Sequence, residues 1–285
     1  MAMDEKSLGK QLQAARQAAG LTQQQLCQQA NLSFSTLTKI ERGAIKSPSI
    51  FTVQAITGVL GVSIDELMGA HSPARPQRQL QKTKTGIGFI YFDVNGCLVH
   101  FYQRAFAQLA EATGAPSDVV ETAFWHYNDD VCRGIITLDE FNAKLADRLG
   151  VESVDWRKYY LGTIEPIQQM HEVAQWASER YKIGLLTNIP PGLLSPMRQN
   201  GAVPNLQYDA VIDSSEIGAI KPEPHIYEVA QAQAGCPPEE ILLIDDSRAN
   251  LMAAEKLGWR VLWFDDARPE ESTARVREAL EPRKA

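Results

Sequence analysis

Asp93, Thr187, Lys221, Asp245 and Asp246 are the side chains whose types and order could move a phosphoryl group. Asp93 closes an apolar run, Gly-Phe-Ile-Tyr-Phe-Asp (88–93), and is followed by Val-Asn-Gly-Cys-Leu (94–98). A carboxylate there could attack phosphorus and become an aspartyl-phosphate. The charge on the transferred group would then need a metal and a fixed cation beside it. Asp245 and Asp246, together with Asp93, offer the hard oxygens that Mg2+ prefers. Lys221, in Gly-Ala-Ile-Lys-Pro-Glu-Pro (218–224), is the candidate cation, held by prolines at a helix start. Thr187 offers a hydroxyl and Asn188 an amide to phosphoryl oxygens.

Singly, each of these has an ordinary alternative, such as a turn-capping aspartate or a solvated Lys-Pro corner. The elements that carry them give the set its weight. Strand-like apolar runs end at Asp93, Thr187, Asp213 and Asp245, and a further run covers 261–264. Continuous apolar strands separated by helices predict a parallel sheet covered on both faces. In such a sheet functional groups gather at the carboxyl ends of the strands.

In order and spacing the set resembles the haloacid dehalogenase (HAD) superfamily, over roughly 87–285. The matching stretches are 93–98, 185–188, Lys221-Pro222, and Asp245-Asp246-Ser247 with Asn250. The resemblance implies a Rossmann-like α/β core over 87–100 and 175–285, with a helical cap inserted at 101–174. It implies Asp93 as nucleophile, the Asn95 main-chain carbonyl and Asp246 as Mg2+ ligands, and Asp245 acting through water. Thr187 would bind phosphate and Lys221 would stabilise charge. Helical patterns at 104–112, 116–125 and 138–149 fit the cap. Phe-Trp-His-Tyr (124–127) and the run 133–141 resemble bacterial sugar-phosphate phosphatases and epoxide-hydrolase N-terminal domains. Caps set substrate choice, so Trp125, His126, Tyr127 and Arg133 are candidate ligand contacts; the other reading is an aromatic stripe that packs the cap.

One position departs from that pattern. Asn95 stands where the resemblance expects a second aspartate, which protonates the leaving group and then activates water. A carboxamide cannot exchange a proton near neutral pH. General acid–base help is worth roughly 10²–10⁴-fold, or about 3–5 kcal/mol of barrier. The expectation is a body that binds a phosphorylated small molecule with Mg2+ and turns it over weakly or not at all. The alternative is a competent phosphatase in which water or substrate supplies the proton. Dehalogenase-type hydrolysis fits less well, because it usually lacks the metal carboxylates. Cys97 reads as a small buried thiol rather than a nucleophile.

Residues 7–68 read as five short amphipathic helices around Leu21, Leu26, Ala30, Leu32, Leu37 and Ile40. Gly20 stops the first, and Thr22 with Gln25 and Ser63 with Glu66 read as capping boxes. The second helix begins Gln23-Gln24, and the third leaves Phe34, Ser35, Thr38 and Lys39 outward, side chains that can reach base edges and phosphates in a major groove. The segment resembles the Cro-like (XRE) helix-turn-helix family through 20–26, 32–43 and 60–67. That resemblance implies Gln23 on a phosphate, the four third-helix residues in the groove, and an internal Arg16–Glu41 ion pair. It also implies a dimer reading two half-sites of an operator.

The bulk numbers agree with two domains: 285 residues, 44% hydrophobic, suffice for a helix-turn-helix domain at 1–70 and a larger body at 87–285. Residues 1–86 carry ten Lys/Arg against five Asp/Glu; the rest carry 18 against 30. A basic module on an acidic body fits two different partners, and 71–86 reads as a flexible basic linker. No membrane span and no signal peptide are expected, and four scattered cysteines suit a reducing cytoplasm. The charged tail after Asp265 reads as a surface helix.

Overall fold

The computed structural model describes residues 5–19, 21–30, 32–45, 48–60, 78, 80–100 and 102–282. The chain divides into two compact units, Met1–Gln77 and Arg78–Ala285.

Among the described residues of the first unit four helices form: α1 Glu5–Ala18, α2 Gln23–Gln29, α3 Phe34–Glu41 and α4 Ile50–Leu60. Thr22 starts α2 with a full capping box: its Oγ1 accepts from Gln25 N at 3.2 Å, and Gln25 Oε1 accepts from Thr22 N at 2.8 Å. Ser33 starts α3 by accepting from Thr36 N at 3.1 Å. Leu12, Leu26, Leu37, Ile40 and Ile56 are shut off from water and form the shared core. Each contributes about 1.5–3 kcal/mol of burial against the entropy of ordering. The Gly20 stop and the fifth helix with Ser63 and Glu66 lie outside the described residues.

The second unit starts earlier than the expected linker allows. Arg78 pairs with Asp209 at 2.6 Å, and Gln81 N–H donates to Arg180 O at 2.8 Å. Lys82 and Lys84 pair with Glu240 and Glu281. The basic residues of 78–86 are thus spent on an acidic body, and this part is not a free tether; 71–77 and 79 lie outside the described residues.

Five parallel strands follow: β1 Phe89–Phe92, β2 Lys182–Thr187, β3 Ala210–Asp213, β4 Ile241–Asp245 and β5 Arg260–Trp263, in the order β3-β2-β1-β4-β5. Along β1, Ile90 and Phe92 face one core cluster and Phe89 and Tyr91 the other, as a strand buried on both sides requires. The chain winds outward from β1 to β3, then crosses back to β4. The switch point therefore lies between β1 and β4, whose carboxyl ends carry Asp93 and Asp245.

Between β1 and β2 lie α5 Gln103–Thr113, α6 Ser117–Cys132, α7 Leu138–Leu149, α8 Trp156–Thr163 and α9 Gln168–Ser178. The first four are the cap, packed around Tyr102, Phe106, Phe124 and Trp156. Sequence patterning ends α6 too early and misses α8. It also extends the cap to 174, whereas α9 buries Met170, Val173, Ala174 and Ala177 in the core cluster beside β2. The core is completed by α10 Leu194–Gln199, α11 Ser214–Ile217, α12 Pro224–Ala234, α13 Arg248–Lys256 and α14 Pro269–Ala279. Of these, α14 packs on α9 through Val276, so the charged tail has a buried face. Among the described residues no helix is long and apolar enough to cross a membrane.

Candidate functional site

Asp93 follows β1 and is 6% exposed. Its Oδ1 accepts from Val94 N at 2.7 Å and lies 2.8 Å from Lys221 Nζ. The same ammonium donates to Asp245 Oδ2 at 2.6 Å. Asp93, Asp245 and Asp246 each bring an oxygen within 4.8 Å of the others. One lysine thus faces three carboxylates. Burial works against the Lys221 charge, but Asp245 and Asp93 more than offset it and hold the ammonium above its ordinary pKa. Burial pushes Asp93 up to about 8, with Lys221 opposing and Asp245 and Asp246 adding to the rise. Burial and Asp245 push Asp246 up to about 6. This donor set is short of positive charge, and a divalent cation with a preference for oxygen would supply it.

The three carboxylates are not equivalent. Asp245 Oδ1 accepts from Ser247 N at 2.8 Å and Asn250 Nδ2 at 3.0 Å, while Oδ2 takes Lys221 and, at 3.2 Å, Asn250. Its lone pairs are committed to protein, which leaves Asp93 and Asp246 freer for a metal. The Gly96 turn brings Asp246 in. Its main chain is left-handed (φ +80°), and a Cβ there would sit 2.2 Å from Asp246 Oδ2. Only glycine allows both.

Asn95 is 5% exposed; its Oδ1 accepts from Tyr160 OH at 2.5 Å. Asn95 Nδ2 and Thr187 Oγ1 are buried with no hydrogen-bond partner among the described residues. Orphan polar atoms inside a fold call for a partner from outside it. Both belong to the mouth of the sheet, where a phosphoryl group would present oxygens. A cavity of about 360 Å³ opens there, lined by Asp93, Asn95, Asn188, Lys221 and Asp246 below and by Tyr102, Trp125, Asn128 and Asp129 above.

Several expected contacts are placed differently. Asn188 borders the cavity, but its side chain is locked to Lys221: Nδ2 donates to Lys221 O, and Oδ1 accepts from Lys221 N, both at 2.8 Å. It positions the lysine. Trp125 lines the cavity, whereas His126 is exposed and sits edge-on to Tyr127 at 4.6 Å. Tyr127 lies under Lys144 Nζ at 5.4 Å. Consecutive helical residues point about 100° apart, so 125–127 cannot share a face; 125, 128 and 129 can. Arg133 pairs with Glu223 at 2.7 Å and ties the end of α6 to the loop after Lys221. Beside it Ser214 Oγ donates to Cys132 O at 2.6 Å, and Gly134 comes so near that a Cβ would be 2.6 Å from Ser215 O. Arg133 is a cap-to-core strut. Tyr160, Tyr102, Asn128 and Asp129 escaped the sequence reading; the three- and four-residue spacing from Trp125 could have found the last two.

In the helical unit, Phe34 (50% exposed), Ser35 and Lys39 stand outward on α3 as expected. Thr38 does not: it is half-buried, and its Oγ1 is enclosed. Gln23 is half-buried, and its Nε2 donates to Glu41 Oε2 at 2.6 Å. Glu41 also takes Arg16 Nε at 2.7 Å and Nη2 at 3.1 Å, the expected internal ion pair.

The two units thus define a helix-turn-helix module and an α/β hydrolase-like body. Residues 12–67 match the helix-turn-helix family, and residues 88–258 match the haloacid dehalogenase-like hydrolase family. The second match covers more than half of the chain, which belongs to the haloacid dehalogenase-like hydrolase family. The chain is 33% identical over 78 residues to the immunity repressor protein of Bacillus phage phi105, covering 27% of this chain and 54% of that one. Over 103 residues it is 35% identical to the rhythmically expressed gene 2 protein of Drosophila melanogaster, covering 34% and 38%. The chain spans about half the length, or less, of these two relatives. A HAD-like family hydrolase from Porphyromonas gingivalis superposes with a TM-score of 0.57 at 25% identity, covering 67% of this chain and 98% of that one.

Proposed function

We propose that the chain is a DNA-binding transcriptional regulator whose HAD-like domain binds a phosphorylated small molecule with Mg2+ and turns it over weakly or not at all. The observation that carries this reading is Asn95: an amide that cannot relay a proton occupies a site where Asp93, Lys221, Asp245 and Asp246 otherwise converge. Asp93, Asp246 and the Asn95 main-chain carbonyl would hold Mg2+, with Asp245 one shell out. When bound, the ion would neutralise phosphoryl charge that Lys221 alone cannot. The chain's own groups do the rest. Lys221, fixed by Asn188, faces the anion, and Thr187 Oγ1 and Asn95 Nδ2 gain the partners they lack. Asp93 stays in place to attack, but the leaving oxygen meets an amide rather than an acid.

A structure of a HAD-family enzyme from Bacteroides thetaiotaomicron, an aspartate-to-alanine variant, holds magnesium and inorganic phosphate; it shares the fold at 20% identity and a TM-score of 0.55, covering 62% of this chain and 94% of that one. The ligand class is consistent with that fold. For the N-terminal unit, the exposed Phe34, Ser35 and Lys39 on α3 support operator DNA as partner, read as a homodimer over two half-sites. One unit offers few phosphate contacts, which favours pairing.

The test is a panel of sugar phosphates and nucleotides assayed with Mg2+ for wild type, Asn95→Asp and Asp93→Asn. Asn95→Asp is expected to turn over about 10²-fold faster than wild type, and Asp93→Asn to show no hydrolysis. A wild type as fast as Asn95→Asp would establish the rival reading, a competent Mg2+-dependent phosphatase that uses its N-terminal unit for assembly or targeting.

A further inference from the structure

Asn95 is 5% exposed and borders the cavity; its Nδ2 has no partner among the described residues, yet the other end of the amide is held firmly. The 2.5 Å separation between Tyr160 OH and Asn95 Oδ1 suits O–H···O and is too short for N–H···O. The amide is therefore oriented with its oxygen toward the tyrosine and its NH2 left over. The other neighbour of the hydroxyl, Met197 Sδ at 3.4 Å, is a weak acceptor, so the single phenolic proton goes to Asn95. Tyr160 is itself fixed from the cap side. It is 2% exposed on α8, and its ring stacks on Trp156 at 6.1 Å and 10°.

We propose that Tyr160 and Asn95 form one anion-reading unit, in which the cap tyrosine orients the amide and Asn95 Nδ2 donates to a phosphoryl oxygen. Tyr160 is a positioning residue; Asn95 touches the ligand. The proposal deepens the function given above and rests on that pocket taking phosphate with Mg2+. It narrows the ligand: the atom facing Asn95 must accept a hydrogen bond, which a phosphoryl oxygen does and an ammonium group does not. It also makes ligand affinity depend on the cap, through a single hydroxyl.

The experiment is calorimetric titration of the full chain with inorganic phosphate in saturating Mg2+, for wild type, Tyr160→Phe, Asn95→Ala and the double variant. Each single change is expected to weaken phosphate binding about tenfold. The double variant should bind within about twofold of Asn95→Ala, because the hydroxyl acts only through the amide. Affinity for Mg2+ alone should be unchanged by Tyr160→Phe; a general loss of packing would lower it as well. In wild type, adding phosphate should shift the Asn95 side-chain amide resonance, a readout independent of any variant. Unchanged phosphate affinity in Tyr160→Phe, losses that multiply in the double variant, or an unmoved resonance would overturn the unit while leaving the functional reading intact. A wild type that does not bind phosphate with Mg2+ would overturn both.

Discussion

The Lys221 ammonium lies 2.8 Å from Asp93 Oδ1, with the lysine side chain 1% and the aspartate side chain 9% exposed. This contact joins the ends of two non-adjacent chain segments at the switch point of the sheet, and Asp245 closes it from behind at 2.6 Å. Lys221→Met would leave the carboxylates without their cation. Breaking a buried pair from one side costs about 3–5 kcal/mol. Thermal unfolding of the C-terminal unit should fall accordingly without Mg2+, and Mg2+ should restore part of the loss. An unchanged melting temperature would contradict the arrangement.

The pH response follows from the same crowding. Asp93 is pushed up to about 8 and Asp246 up to about 6, both above the unfolded value of 3.8. Between those values the folded metal-free protein holds more protons than the unfolded chain. Stability should therefore be highest below pH 4 as far as these two groups are concerned, and be lost as pH rises through about 6 and 8. Metal binding releases the retained protons, so apparent Mg2+ affinity should rise with pH, by up to tenfold per unit for each proton released. Calorimetry from pH 5.5 to 8 checks this; a flat Mg2+ affinity would remove the claim of a proton-loaded cluster.

Gly96→Ala should separate the metal site from the fold. The added carbon would lie 2.2 Å from Asp246 Oδ2, and the left-handed main chain strains any side chain. Asp246 must then swing away, and Mg2+ affinity should drop tenfold or more, since one of the two freer carboxylates is displaced. The cost in stability should stay near 1–2 kcal/mol. Retained Mg2+ affinity would show that Asp246 is not a ligand.

Much of this was legible in the chain. Apolar runs ending in Asp93, Thr187, Asp213 and Asp245 became strands β1 to β4, because a strand buried on both faces needs an unbroken apolar stretch. The capping box at Thr22 and the Arg16–Glu41 pair also emerged as expected. What sequence could not supply were partners distant along the chain. Asn188 is drawn off by the main chain of Lys221, Arg133 by Glu223, and Gln23 by Glu41, and each of these partners lies at least 18 residues away along the chain. The short α8, which brings Tyr160 to Asn95, has Trp, Tyr and Gly in place of a clear apolar stripe. Thr38 reads as outward in sequence, one turn from Phe34 and Ser35, and is half-buried by its neighbours.

The N-terminal unit gives its own prediction. Lys39→Ala with Ser35→Ala removes an exposed cation and a hydroxyl from α3. Affinity for the protein's own promoter DNA should fall, and the salt dependence should become shallower by about one unit of log–log slope per lost phosphate contact. Gel-shift titrations at several salt concentrations check both; binding indifferent to sequence and to these changes would exclude α3 as the reading helix.

The most direct measurement is operator affinity of the full chain with Mg2+, in the presence and absence of each phosphate ester that calorimetry shows to bind, with Asp93→Asn as a second host for slow ligands. The account predicts that at least one ester shifts operator affinity by fivefold or more, the scale of ordinary coupling between two sites. Identical operator affinity with every bound ester would contradict the claim that the HAD-like body informs the DNA-binding module.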